Sequence, residues 1–476
     1  MNPIYYKPDN AWPGDFIPFY KDGTYYLYYL LDWRDVAGHG EGTPWYLITT
    51  KDMVHFQEHG EMLARGSVAE QDLYVFTGSA VEGLGQYHIF YTGHNPHYAA
   101  QGKPDQGIMH AVSTDLFHWQ KVPQDTFFAP TDSYKANDWR DPYVFWNEEV
   151  GEFWMLVCAR LKNGPSRRRG CTALCTSKDL QHWQVQPKPF YAPGLYHTHE
   201  CPDLFRLGDW WYLFFSEYSE QTVTCYRMAH SLTGPWLTPA NDTCDGRAFY
   251  AAKTASDGTN RYLFGWNPTR ETGKDYRPWQ WGGALAVHEL WQKADGTLAV
   301  RPPQQVLQAY NVSRTCTFQP GLGESLITSQ AVNLTASGSL ACASAGLLPA
   351  ACKLQATIVY EPDTRGCGLA IRTSEDYETG YYIRLEPAQQ RLVFDAWPRP
   401  GDQPFMIGLE RSLHLVPGTP VQLTVLVEDT ICEVYVNGET AMSARMYDLP
   451  EGNWGVFVQQ GVARFTDLSL HVRMEG

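Results

Sequence analysis

Three copies of one short pattern, set almost evenly along the first half of the chain, constrain the fold more than any other feature. TKDMVHF (Thr50–Phe56), STDLFHW (Ser113–Trp119) and SKDLQHW (Ser177–Trp183) share the order Ser/Thr, any residue, Asp, two residues, His, aromatic. Their aspartates, Asp52, Asp115 and Asp179, lie 63 and 64 residues apart, and a looser copy, SLTGPW, follows at Ser231–Trp236. Self-similarity at a fixed period marks a repeat architecture. Between the copies run GTYYLYYL, GQYHIFYTG, GEFWMLVCARL and GDWWYLFFS. These read as strands entered from tight turns. A unit of this length holding several strands is a propeller blade, and five such units fill residues 1–303. The repeated motif itself reads as a structural device that closes a turn and packs a blade.

The repeat fades after DGTLAVRP, and the pair Pro302-Pro303 marks a boundary. Residues 304–315 read as a linker. From Cys316 the text changes to evenly spaced strands such as KLQATIVYEP, GYYIRLEP and ICEVYVNGE, the last with an Asn-Gly hairpin signal. That pattern predicts a β-sandwich over 316–476. No long helix is expected, so the fold class is all-β: a five-bladed propeller followed by a C-terminal sandwich.

Charge and composition narrow the partners. The net charge is −15, and RRR at Arg167–Arg169 is the one basic run. Phosphate backbones need clustered cations, so a nucleic-acid partner is not expected. No stretch of 18 apolar residues exists, and the N-terminus has no basic-then-apolar leader, so no membrane span or export signal is read. Eleven cysteines then read as reduced thiols in the cytoplasm. Cys171 and Cys175 lack metal-ligand spacing. His197, His199 and Cys201 contain zinc-compatible ligands but no second cluster, so no metal and no cofactor is expected. Oligomeric state is not readable.

One acidic residue per blade is what a shared funnel site needs, since innermost strands line a propeller's central channel. Asp15 in AWPGDFIPF, Asp141 in WRDPYVF and Glu200 in HECPDLF each stand ahead of a strand pair, eight, ten and eight residues before Gly23, Gly151 and Gly208. Asp9 competes with Asp15 but lies too far from Gly23 for that register. Several carboxylates around one pocket suit glycoside hydrolysis, where one attacks or activates water and another protonates the leaving oxygen. Arg140 can order a carboxylate or grip a hydroxyl through its planar fork.

At these residues the chain resembles glycoside hydrolase family 32, the β-fructofuranosidases and fructanases. WRDPYVF and HECPDLF are similar to two of its motifs almost letter for letter, FTGSAV (Phe76–Val81) is similar to its Phe-Ser-Gly-Ser segment, and WQWGGALAVHEL and DGTLAVRP are similar to later landmarks. The resemblance implies a propeller with a sandwich, a retaining mechanism, and no cofactor. By it, Asp15 is the nucleophile, Asp141 the transition-state stabiliser and Glu200 the acid/base. Arg140 and Ser79 contact the fructosyl unit, Trp266 walls the pocket, and Cys201 shapes the surroundings of Glu200. The implied substrate is a small saccharide: sucrose, a fructo-oligosaccharide or a cyclic difructose. The first motif departs from the family's Trp-Met-Asn-Asp-Pro-Asn-Gly by lacking both Asn residues, and His288 stands where an Arg is common. Other readings left open are a fructosyltransferase, an inverting arabinosidase or xylosidase of propeller type, and a non-catalytic carbohydrate-binding propeller.

Overall fold

The computed structural model describes residues 3–398 and 409–474. The runs read as strands pair locally, each hairpin feeding the next through a Gly turn, and five antiparallel sheets result. Four have four strands each: Trp12 to Leu63, Tyr74 to Lys121, Arg140 to Val185, and Tyr250 to Arg301. The remaining blade, the fourth, has three strands between Glu200 and Ala229. Leu237, which exchanges backbone hydrogen bonds with Met228, stands where its outer strand would be. The first strand of every sheet faces the centre, and the fifth blade meets the first to close the ring. Tyr6, upstream of blade one, accepts the Leu285 amide of blade five at 2.9 Å, which fastens that closure.

The repeated motif does close a turn. In the second copy, Ser113 Oγ accepts the amides of Asp115 and Leu116, while Asp115 accepts the amides of Phe117 and His118 and pairs with His118 Nδ1 at 2.7 Å. The same bonds recur around Thr50, Asp52 and His55, and around Ser177, Asp179 and His182. Side-chain oxygens here replace the backbone partners that a sharp turn cannot supply. Met53, Leu116 and Leu180, the bulky residue of each copy, are buried, so each turn also pins its blade to the core.

After the fifth blade, Gln304–Ala309 forms a short helix, and Val312–Arg314 pairs with Leu470–Val472 at the edge of the C-terminal sheet. The stretch read as a linker is therefore largely built into structure. Beyond it a continuous 13-stranded antiparallel sheet folds over its own core of Leu, Ile and Val. The longest helix among the described residues spans six residues.

The two halves are joined by a buried polar chain. Asp245, 2% exposed, accepts His288 Nε2 at 2.9 Å, Ser443 Oγ at 2.7 Å and the Ser443 amide at 2.8 Å. His288 Nδ1 meets Tyr435 Oη at 2.8 Å, and Tyr435 and Tyr5 both donate to Glu433. Thus His288, the departure noted in the sequence, is a junction residue. Burial alone would push its pKa down, but the Asp245 hydrogen bond and the Glu433 charge outweigh burial and raise it. Removing one partner of such a chain strands a buried charge. Asp245→Ala is expected to cost about 3–5 kcal/mol, and Ser443→Ala only about 1 kcal/mol. Thermal unfolding of the two variants should separate them in that order.

Candidate active site

The five inner strands share one irregularity. In each, two residues oppose a single residue of the neighbouring strand: Asp15-Phe16, Thr77-Gly78, Asp141-Pro142, Cys201-Pro202 and Ala251-Ala252. A β-bulge of this kind bends the strand and re-aims side chains. Asp15, Asp141, Cys201 and Ala251 take φ of 46°, 56°, 49° and 51°, the left-handed region. That conformation costs a non-glycine residue about 1–2 kcal/mol, and such strain collects at functional sites. Gly78 admits no side chain, since a Cβ there would stand 1.9 Å from the Phe90 carbonyl oxygen.

The bulges bring the three carboxylates together, with a register that sequence spacing does not reveal. Asp15 and Asp141 occupy the bulge itself. Glu200 stands one residue earlier, level with Arg140 and Tyr250. Asp15 is held by two donors, Trp266 Nε1 to Oδ1 at 2.9 Å and Thr77 Oγ1 to Oδ2 at 2.5 Å. Asp141 accepts the Cys201 amide at 2.9 Å, and its own amide donates to Thr92 Oγ1 at 2.7 Å. Glu200 accepts Arg140 Nη2 at 2.8 Å and Tyr250 Oη at 2.6 Å. Behind Arg140, Asp138 takes Arg140 Nη1 at 2.6 Å and Arg160 Nη1 at 3.1 Å. The Arg-Asp pair before the buried strand therefore divides its work: Arg140 orients Glu200 across a blade boundary, and Asp141 is sunk beside the axis.

Environment distinguishes the acids. Asp141 is 4% exposed, whereas the Glu200 side chain keeps about a fifth of its surface. Burial pushes the Asp15 pKa up to about 7; the Thr77 bond opposes this and the Asp141 charge adds to it. Burial raises Asp141 to about 6, with Arg140 opposing and Glu200 reinforcing. Burial and then the Glu200 charge drive the Tyr250 phenol far up, so it remains a proton-bearing donor.

Most of the residues expected at the site converge there: Asp15, Asp141, Glu200, Arg140, Cys201 and Trp266. Ser79 does not. Its Oγ accepts the Val144 amide at 3.0 Å, and it lines a separate cavity of about 240 Å³ further along the axis. The bulge explains the shift, because it hands the site-facing position to Thr77. Asp9 is exposed in the turn before blade one. His199 is a buried ring stacked on Phe215 at 4.3 Å, and His197 packs on Tyr218, so the two do not converge with Cys201 on a common point. Thr77, Tyr250 and Asp138 were missed by sequence reasoning. Tyr250 carries no acid and sits in AFYAAKT, a blade without a repeat motif; counting from the bulge position would have found it. At the rim, Gly14 leaves room for an indole: a Cβ on it would lie 2.5 Å from Trp281 Cζ2. Trp281 in turn packs 5.8 Å from Trp266, the Asp15 partner.

Residues 6–302 match the glycosyl hydrolases family 32 N-terminal domain, and residues 322–472 match the glycosyl hydrolases family 32 C terminal domain. The chain belongs to glycosyl hydrolase family 32. It is accordingly a glycoside hydrolase. Sucrose-6-phosphate hydrolase from Escherichia coli is 26% identical over 88% of the chain and 84% of that protein. Raffinose invertase from Escherichia coli is 26% identical over 98% of the chain and 94% of that protein. The crystal structure of fructan 1-exohydrolase IIa from Cichorium intybus superposes with a TM-score of 0.77 at 17% identity, covering 99% of the chain and 98% of that structure. That likeness shows the shared propeller-and-sandwich fold.

A raised carboxylate pKa has a stability consequence in this family 32 enzyme. Between the unfolded value near 3.8 and the folded value near 7, the native state of Asp15 holds the extra proton. Stability from this group is therefore present at low pH and lost as pH rises toward 7. Asp15→Asn removes that loss. Its Tm should exceed the wild type's by a few degrees at pH 8, and the gap should close by pH 4.

Proposed function

We propose that the chain is a retaining fructosidase that removes a terminal fructosyl unit from a short fructoside through a fructosyl-enzyme intermediate. The observation that carries this is the pairing, in a single funnel, of one carboxylate fixed by donors at both oxygens with a second carboxylate held by Arg140 and Tyr250. Asp15 has both oxygens tied by Thr77 and Trp266, so it presents a lone pair toward the funnel without freedom to swing. A nucleophile gains from such restraint. Glu200 keeps solvent contact, as a group that must exchange protons does.

The sequence of events follows from these positions. Asp15 attacks the anomeric carbon as Glu200 gives its proton to the departing glycosidic oxygen. The C–O bond breaks, a fructosyl–Asp15 ester forms, and the leaving sugar departs with the proton. Having given up its proton, Glu200 is left as the carboxylate. Arg140 and Tyr250 hold that carboxylate in place while it takes a proton from water, whose oxygen then cleaves the ester. Asp141, beside the reacting ring, offers negative charge to the oxocarbenium-like state. No step calls on a cofactor.

The curated relatives support the substrate class, since their names refer to sucrose 6-phosphate and raffinose, both small saccharides carrying a fructosyl unit. All eleven cysteines are free thiols and ten of them are buried, which supports the cytoplasm as the working compartment and an imported saccharide as the substrate. Among the described residues no helix is long and apolar enough to cross a membrane.

Glu200→Ala and Asp15→Asn should each lower kcat about 1000-fold or more with the fold preserved. Chromatography of products from sucrose, sucrose 6-phosphate, kestose and levan should show free fructose with the wild type only. With methanol as acceptor, NMR should show methyl β-fructofuranoside; the α-anomer would mean inversion and overturn the mechanism.

A further inference from the structure

Beneath the carboxylates lies a cation that the mechanism above does not use. Lys253 follows the bulge of blade five and is 2% exposed. Its ammonium donates to the Gly78 carbonyl of blade two at 3.0 Å and to the Pro202 carbonyl of blade four at 3.2 Å. A side chain from blade five that bonds blade two crosses the propeller axis. It also lies over the Tyr143 ring of blade three, 5.4 Å from the centroid. One buried ammonium thus touches the inner strands of three other blades.

We propose that Lys253 is a positioning residue that forms the electrostatic floor of the active site, locking the bulges that aim Asp15 and Asp141 and offsetting their charge. Both of its acceptors are bulge residues. Gly78 directly follows Thr77, the donor to Asp15 Oδ2, and Pro202 directly follows Cys201, the amide donor to Asp141. Holding the two carbonyls toward one point on the axis anchors both bulges at the residue next to each donor. The charge matters as well. Asp15, Asp141 and Asp203 surround Lys253, with Cys201, Tyr143 and Arg261 completing its shell. Burial opposes an ammonium here, and these anions are what retain it. The Cys201 thiol is driven up by burial and stays neutral, and Asp203 is engaged by the Thr254 amide and hydroxyl, both at 2.7 Å. The charge of Lys253 is therefore shared among Asp203, Asp141 and Asp15, two of which are the working acids of the proposed mechanism. A purely structural plug could be apolar, whereas this one is a cation.

The inference rests on the fructosidase reading only in taking Asp15 and Asp141 as the working acids, and its test has one arm that needs no activity. In the first arm, Lys253→Met is compared with wild type on the preferred fructoside across pH. Loss of the cation should lower kcat at least 30-fold with KM within about threefold, and should move the acid limb of kcat/KM up by about one pH unit. A limb unmoved within 0.2 unit would overturn the charge role. In the second arm, Tm is measured at pH 8 for Lys253→Met in wild-type and Asp15→Asn backgrounds, with Lys253→Gln alongside as a variant that keeps a donor for one carbonyl. Coupling to Asp15 predicts that the Tm loss in the Asp15→Asn background is no more than half that in wild type. Equal losses, or failure of both lysine variants to fold even with Asp15 neutralised, would overturn the proposal whatever sugar the enzyme cleaves.

Discussion

Everything at this site depends on a backbone irregularity repeated around the ring. A flat inner strand alternates its side chains and presents every second residue to the axis. The bulge breaks that alternation at the same depth in all five blades, so residues from different blades converge on one level. Four of the five bulge residues are non-glycines held at φ near 50°. Several kilocalories of local strain are thus supported by the ladders on either side of each bulge and by the close packing of the blades. The repeated turn motif anchors the outer part of the first three blades through side-chain hydrogen bonds, which leaves the inner strands free to carry the strain.

The charges follow from the backbone. Three carboxylates within one narrow funnel repel each other and resist burial, and the values near 7 and 6 for Asp15 and Asp141 record both effects. Two cations offset this from opposite sides. Arg140 stands at the mouth and binds Glu200; Lys253 stands below and bonds only carbonyls. The division suits the chemistry. A guanidinium at the mouth can follow the changing protonation of Glu200 through a direct hydrogen bond. An ammonium with no carboxylate bond acts on Asp15 and Asp141 through space and takes up none of their lone pairs.

The sequence carried the fold because its signals are local. The 63- and 64-residue spacing, the Gly-bounded aromatic runs and the Asn-Gly hairpin each reflect turns and strands built from neighbours in the chain. The site was legible where a residue's chemistry is conspicuous: Asp15, Asp141, Glu200 and Arg140 were found as charged groups at the starts of apolar strands. It was not legible where position depends on the bulge. Ser79 was chosen over Thr77 because no composition signal reports which of two alternating hydroxyls a bulge turns toward the axis. Tyr250 and Lys253 escaped because blade five has no repeat motif and its inner strand carries no acid. The stretch 304–315 read as a linker because its strand pairs with Leu470–Val472, a partner that no local pattern reveals.

The altered first motif acquires a physical meaning from Gly14. The motif that this segment resembles has an Asn immediately before its first Asp, and here that side-chain volume is occupied by Trp281 from blade five. The exchange replaces a hydrogen-bonding amide with an apolar face beside Asp15, continuous with Trp266. The Trp281 backbone is anchored, because its carbonyl accepts Arg34 Nη2 at 2.5 Å and Arg34 is itself stacked 4.3 Å over the Trp12 ring. An indole reads the C–H face of a sugar through dispersion, whereas an amide reads its hydroxyls one by one. Removing hydroxyl readout at this wall leaves discrimination to the groups of the funnel that remain polar, Arg140, Glu200 and Tyr250 among them.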